Sequence, residues 1–129
     1  MIIWTNGCFD ILHVGHVEML EFAKSKGHYL VVGLDTDARV SLAKGSDRPY
    51  NTLDDRMKII AALKCVDQVV SFGTDEELFH EIAKSCAELI VIGDDYKNKR
   101  VIGSKLAAVH FFPKTPGHSS TGALSAIRI

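Results

Sequence analysis

Ile2-Ile3-Trp4-Thr5-Asn6-Gly7-Cys8-Phe9-Asp10-Ile11-Leu12-His13-Val14-Gly15-His16 lies near the start of the chain, and its reading decides the fold. Ile2 to Thr5 is a short β-rich run, and Asn6-Gly7 ends it with a turn signal. Beyond His16, Val17, Leu20 and Ala23 recur at helical spacing, flanked by Met19 and Phe22, and Gly27 is placed as a helix C-cap. Strand, polar loop and helix in that order make the first half of a β-α-β unit.

The alternation continues outward from this segment. Tyr29 to Leu34 is a continuous apolar run, the pattern of a strand buried on both faces. Asp35 to Leu42 reads as a short helix and Lys44 to Asn51 as a polar loop. Thr52-Leu53-Asp54-Asp55 has the form of a capping box, opening a helix through about Leu63 with Leu53, Met57, Ile60 and Ala61 inward. Val69 to Phe72 is a third strand. Asp75-Glu76-Glu77 then load the first turn of a helix ending near Lys84 with acid, which suits the helix dipole. Leu89 to Ile92 and Val109 to Phe112 are the fourth and fifth strands, and Ser119 or Ser120 caps a last helix through Ile127.

Strands alternating with helices imply right-handed crossovers and a parallel sheet. The expected architecture is α/β: a single Rossmann-like domain over residues 1–129, a five-stranded parallel sheet with helices on both faces. Ligands of such sheets bind at the carboxyl ends of the strands. Those ends are Thr5 to His16, Asp35 to Asn51, Gly93 to Ser104 and Pro113 to Thr121. Met19, Met57, Phe72, Phe79, Phe111 and Phe112 read as core, and Cys8, Cys65 and Cys86 as buried small residues.

Composition narrows the function. The 129 residues suffice for one domain burying roughly two thirds of its unfolded surface. Fifteen Lys and Arg against 16 Asp and Glu leave a net charge of −1, without the basic excess of a nucleic-acid or membrane-surface binder. Three widely spaced cysteines form no disulfide framework and point to a reducing, cytoplasmic location. The N-terminus lacks the basic flank and apolar core of a signal peptide, and no apolar run reaches the ~18 residues of a membrane span. Neither G-x-G-x-x-G nor G-x-x-x-x-G-K-[ST] occurs, so a bound nucleotide is held in some other way.

His13 and His16, three apart at a helix entrance, can point the same way, and Gly15 between them admits a ligand to the backbone. A helix N-terminus attracts phosphate, and two imidazoles add donors. The competing readings are two solvated caps, or a zinc-binding interaction domain; against zinc, no third ligand pattern lies near the pair.

The segment T-x-G-x-F-D-x-L-H-x-G-H over Thr5 to His16 resembles the nucleotidylyltransferase superfamily with the HxGH motif. More narrowly it resembles the cytidylyltransferase-like branch, which includes glycerol-3-phosphate cytidylyltransferase and the nucleotidyl domain that makes ADP-heptose. The resemblance continues through Asp35-Thr36-Asp37, Lys44-Gly45, Arg56-Met57, Val66-Asp67-Gln68-Val69, Gly93-Asp94-Asp95-Tyr96 and Gly117-His118-Ser119-Ser120-Thr121. It implies attack by a phosphate monoester on the α-phosphorus of ATP or CTP, with magnesium accompanying the triphosphate and no metal ligated by the protein itself.

By the same resemblance His16 donates to the α-phosphate, His13 holds the triphosphate, and Lys44 contacts phosphates as a third catalytic group. The nucleotide falls to Thr5, Gly7, Cys8, Phe9, Gly15, Gly93, Asp94, Lys114, Ser119, Ser120 and Thr121. The acceptor falls to Asp10, Asp37 and Arg56. Asp10 and Asp37 can equally be local caps, Arg56 a surface residue at a helix start, and Gly93-Asp94-Asp95 an ordinary turn.

Lys114 stands where the family often has Arg, Ser120-Thr121 where it has a Thr pair, and His118 at a typically apolar position. A homodimer is implied around Val66 to Val69, although Lys64-Cys65 departs from the Arg-Tyr often preceding it. The first reading of the activity is a sugar 1-phosphate adenylyltransferase of the ADP-heptose type. The alternatives are a glycerol-3-phosphate cytidylyltransferase and a catalytically silent nucleotide-binding module.

Overall fold

A computed structural model describes residues 1–113. In it β1 (Ile2–Gly7), β2 (Tyr29–Asp35), β3 (Gln68–Phe72), β4 (Leu89–Gly93) and β5 (Ala108–Phe112) form one sheet. Their order is β3-β2-β1-β4-β5 and every adjacent pair is parallel. The chain builds outward from β1 to β3, then returns past β1 to lay down β4 and β5. The strand order therefore reverses beside β1, where open α/β sheets form their ligand crevice.

Four helices cover the sheet: α1 (Val14–Ser25), α2 (Asp37–Lys44), α3 (Leu53–Ala61) and α4 (Asp75–Ser85). Alternate residues of the central strands feed two cores. Ile3, Leu30, Val32 and Leu34 pack with Leu20 and Ala23 of α1 and Ile60 of α3. Trp4, Val31 and Ile90 pack on the other face with Leu78 and Ile82 of α4. This double burial explains the unbroken apolar run of β2. Gly33 leaves room for the indole, since a Cβ there would lie 2.5 Å from the Trp4 ring.

The expected five-stranded parallel sheet with helices on both faces is present. Several local readings are corrected. The helix α1 ends at Ser25 with Lys26 as a right-handed cap, so Gly27 is no C-cap. A Cβ at Gly27 would meet the Met1 carbonyl oxygen at 2.3 Å, and that close approach is what requires glycine. Asp35 ends β2 instead of starting a helix, Thr36 caps α2, and Lys44 is the last residue of α2 and not part of a loop. Ala61 and Phe79 are exposed, their helices having turned other residues inward. Cys86 is exposed too, closing α4 in the left-handed region at φ 59°. The last helix and the site residues Lys114, Ser119, Ser120 and Thr121 lie outside the described residues.

Candidate active site

The first helix begins on its own histidines. Gly15 N–H donates to His13 Nδ1 at 3.1 Å, and His13 N–H donates to His16 Nδ1 at 3.3 Å, a reciprocal capping arrangement. The rings stack with centroids 3.8 Å apart. Each Nδ1 accepts a hydrogen bond, so in the neutral imidazoles the proton sits on Nε2. Burial, with help from His13 and Lys44, lowers the His16 pKa to about 4, so its ring is a neutral donor at physiological pH. The cap also consumes the Gly15 N–H, which is thereby removed from the anion seat expected at this helix start.

The loop before the helix is held under strain. Phe9 lies at φ 49°, a conformation bulky residues rarely adopt, and it is 6% exposed. Its ring meets the edge of His16 at 5.2 Å, and a Cβ at Gly7 would meet it at 3.2 Å. Gly7 and Phe9 thus set the seat of the His16 imidazole. Thr5 is fully buried in β1, and its hydroxyl has no partner among the described residues.

Asp10 is fully buried and caps no helix. Its carboxylate accepts from Tyr50 N–H (2.8 Å), Asn51 N–H (2.8 Å) and Arg48 Nε (3.0 Å). Burial alone would raise its pKa, but the N–H groups of Asn51 and Tyr50, with Arg48, outweigh that and hold it below the ordinary carboxylate range. The chain leaving α2 is thereby tied to the histidine loop.

The surface reading of Arg56 is overturned: its side chain is 0% exposed. Nη1 donates to the carbonyls of Cys8 (3.0 Å) and Asp35 (2.8 Å), Nε to that of Asn51 (3.0 Å), and Nη2 to Asp37 Oδ1 (2.7 Å). One guanidinium joins the carboxyl ends of β1 and β2 to the start of α3. Asp37 is half exposed and is the first residue of α2, so it is not the N-cap, which is Thr36.

A cavity of about 450 Å³ opens over these strand ends, lined by Cys8, Asp35, Arg39, Lys44, Gly73 and Tyr96. Lys44 links the cavity to His16, because its charge pulls downward on the pKa of both His16 and Asp35. Burial raises the Asp35 carboxyl against the opposing pull of Arg39, and raises the Tyr96 hydroxyl. Burial also raises the Cys8 thiol, which stays protonated and is no nucleophile.

Asp37 and Arg56 do not line the cavity. Gly93 ends β4, and a Cβ there would lie 2.7 Å from Asp95 Oδ1; Asp94 starts the 3-10 turn that follows. Sequence reasoning missed Arg39 and did not single out Asp35 and Tyr96 as site residues. The four-residue spacing of Asp35 and Arg39 was the available signal. Among the described residues, no three His, Cys, Asp or Glu side chains are grouped as a metal ion would need, and no helix is long and apolar enough to cross a membrane.

The family described as cytidylyltransferase-like matches residues 4–121. Bifunctional protein HldE of Helicobacter hepaticus is 43% identical over 129 residues, covering 98% of this chain and 26% of that protein. Its counterpart in Campylobacter concisus is 44% identical over 128 residues, covering 98% and 27%. The chain thus spans about a quarter of the length of these curated relatives. Among solved structures, the lipopolysaccharide core biosynthesis protein of Thermoplasma volcanium superposes with a TM-score of 0.68 at 26% identity, over 89% of this chain and 96% of that one. With this match across nearly the whole described fold, the chain belongs to the cytidylyltransferase-like family of nucleotidyltransferases.

Proposed function

We propose that residues 1–129 act as a nucleotidylyltransferase unit, moving the nucleotidyl group of ATP or CTP to a sugar 1-phosphate in the manner of ADP-heptose synthesis. An oxygen of the acceptor's phosphate attacks the α-phosphorus, the bond to the β-phosphate oxygen breaks, and pyrophosphate leaves. The nucleophile is already anionic, so positioning and charge stabilisation do the work. His16 donates its Nε2 proton as a hydrogen bond to the α-phosphate, His13 holds the triphosphate, and Lys44 meets phosphates of both substrates. Thr5, whose buried hydroxyl has no partner among the described residues, joins the nucleotide side with Gly93 and Asp94. Arg56 acts on the acceptor side by holding Cys8 and Asp35, which line the cavity, together with Asp37, its own donors being taken up inside the protein.

One observation carries this reading: Lys44 acts electrostatically on a neutral, capped histidine and also lines a cavity. At about 450 Å³ the cavity lies within the ~300–1,000 Å³ range of small-molecule sites, roomy for a three-carbon polyol phosphate and suited to a sugar phosphate. Identity of 43% to HldE of Helicobacter hepaticus supports the same choice. Magnesium would arrive on the triphosphate, whose oxygens suit it, and would neutralise charge there.

Release of pyrophosphate, screened with four triphosphates against sugar and polyol phosphates, tests the proposal. ATP or CTP with a sugar 1-phosphate is the expected productive pair, and His16→Ala lowers turnover at least about a hundredfold. Release only from CTP with glycerol 3-phosphate would establish the alternative, and no release from any pair would leave a silent binding module. The resemblance at Val66 to Val69 supports a homodimer, for which static light scattering at micromolar concentration should give twice the monomer mass. The three free cysteine thiols suit a cytoplasmic location, with no role for nucleic acid or membrane.

A further inference from the structure

The cavity carries a polar array that the transfer step leaves unused. Arg39 Nε donates to Asp35 Oδ1 at 2.9 Å, and Arg39 Nη2 donates to Asp75 Oδ1 at 2.8 Å. The guanidinium lies 5.2 Å over the Phe72 ring, so its plane is fixed by packing as well as by two carboxylates. Asp35 and Arg39 retain only 21% and 26% of their side-chain exposure. Among the described residues, two of the five guanidinium N–H groups are engaged. Asp35 Oδ2 accepts no hydrogen bond from the described residues. A held acceptor oxygen thus stands beside a held fork of donors, both at the cavity wall.

We propose that Asp35 and Arg39 read two neighbouring hydroxyls of the acceptor, making this pair the part of the site that recognises a vicinal diol on the phosphorylated substrate. The inference rests on the cavity being the acceptor site. A hydroxyl both donates and accepts, so one of a vicinal pair gives its proton to Asp35 Oδ2 while its neighbour receives an Arg39 N–H. The array also has a sign: two carboxylates against one guanidinium leave it net negative, whereas Lys44 is positive. The acceptor's phosphate therefore belongs at Lys44 and its uncharged hydroxylated part at Asp35 and Arg39. A second anionic group on that part would be repelled.

The test is calorimetric binding to the full chain with a non-hydrolysable triphosphate analogue present, using a hexose 1-phosphate, glycerol 3-phosphate and inorganic phosphate as probes. Losing a charged hydrogen bond to a hydroxyl costs about ten- to a hundredfold in affinity. Asp35→Asn and Arg39→Lys should each weaken the hexose 1-phosphate, and glycerol 3-phosphate with its own vicinal hydroxyls, by tenfold or more and leave inorganic phosphate within twofold. Lys44→Ala should weaken all three. Unchanged hexose 1-phosphate binding in Asp35→Asn and Arg39→Lys overturns the hydroxyl-reading role, as does an equal loss of inorganic phosphate. If the unaltered chain binds none of the probes, the acceptor-site reading itself has failed. Should Asp35→Asn not fold, Arg39→Lys decides alone, since it keeps the charge and removes the fork.

Discussion

An imidazole whose Nδ1 lone pair already receives a backbone N–H can donate only through Nε2, and His16 is such a group. Its pKa of about 4 has a consequence for stability. The unfolded chain takes up a proton on this residue near pH 6.5, while the folded chain resists until about pH 4. Between those values the unfolded state binds more protons, so stability falls as the solution is acidified through that window. Asp10 acts lower down. Its depressed pKa contributes stability above the ordinary value of 3.8 that is lost only as pH falls below it. The expected result is a lower urea midpoint at pH 5 than at pH 7, with the difference removed in His16→Gln. Equal midpoints in the unaltered chain would mean that His16 titrates normally. The two histidines were legible because thirteen to sixteen is one helical turn at a strand end. Their tautomers were not, since these depend on which N–H each ring receives.

At the scale of elements, α3 shows where pattern reading succeeds and where it stops. Thr52 was legible as a cap and does accept from Asp55 N–H at 3.3 Å. Arg56 was not legible as core, because a cation among polar neighbours at a helix start is ordinarily solvated. What buries it is distant in sequence: carbonyls at the ends of β1 and β2, which no local window contains. Arg56→Ala would leave those carbonyls and Asp37 without their donor. Breaking such a buried arrangement costs about 3–5 kcal/mol. Chemical denaturation should show that loss, and Arg56→Lys should recover little of it, because an ammonium cannot span the same four acceptors. A loss below 1 kcal/mol would show the guanidinium to be replaceable by water. The same distance effect hid the start of α2, where Asp35 is claimed by its strand through its pairing with Phe72 of β3.

For the molecule as a whole, alternation of apolar runs and helical stretches sufficed for class, strand number and direction. The strand order and the ties across it lay beyond reach, as with Asp10 and Arg48, which meet across 38 residues. Strand order has one further consequence, in the time domain of synthesis. When the chain has emerged as far as Phe72 it holds β1, β2 and β3 together with α1, α2 and α3, enough for most of the core around Ile3, Leu30 and Ile60, with Val91 still to come. The other face still waits. Trp4 and Val31 are buried against Leu78, Ile82 and Ile90, all made later. A pause with the chain emerged to Phe72 therefore presents a half-finished sheet with an indole on one bare face and an unpaired edge along β1. Such surfaces recruit chaperones or aggregate.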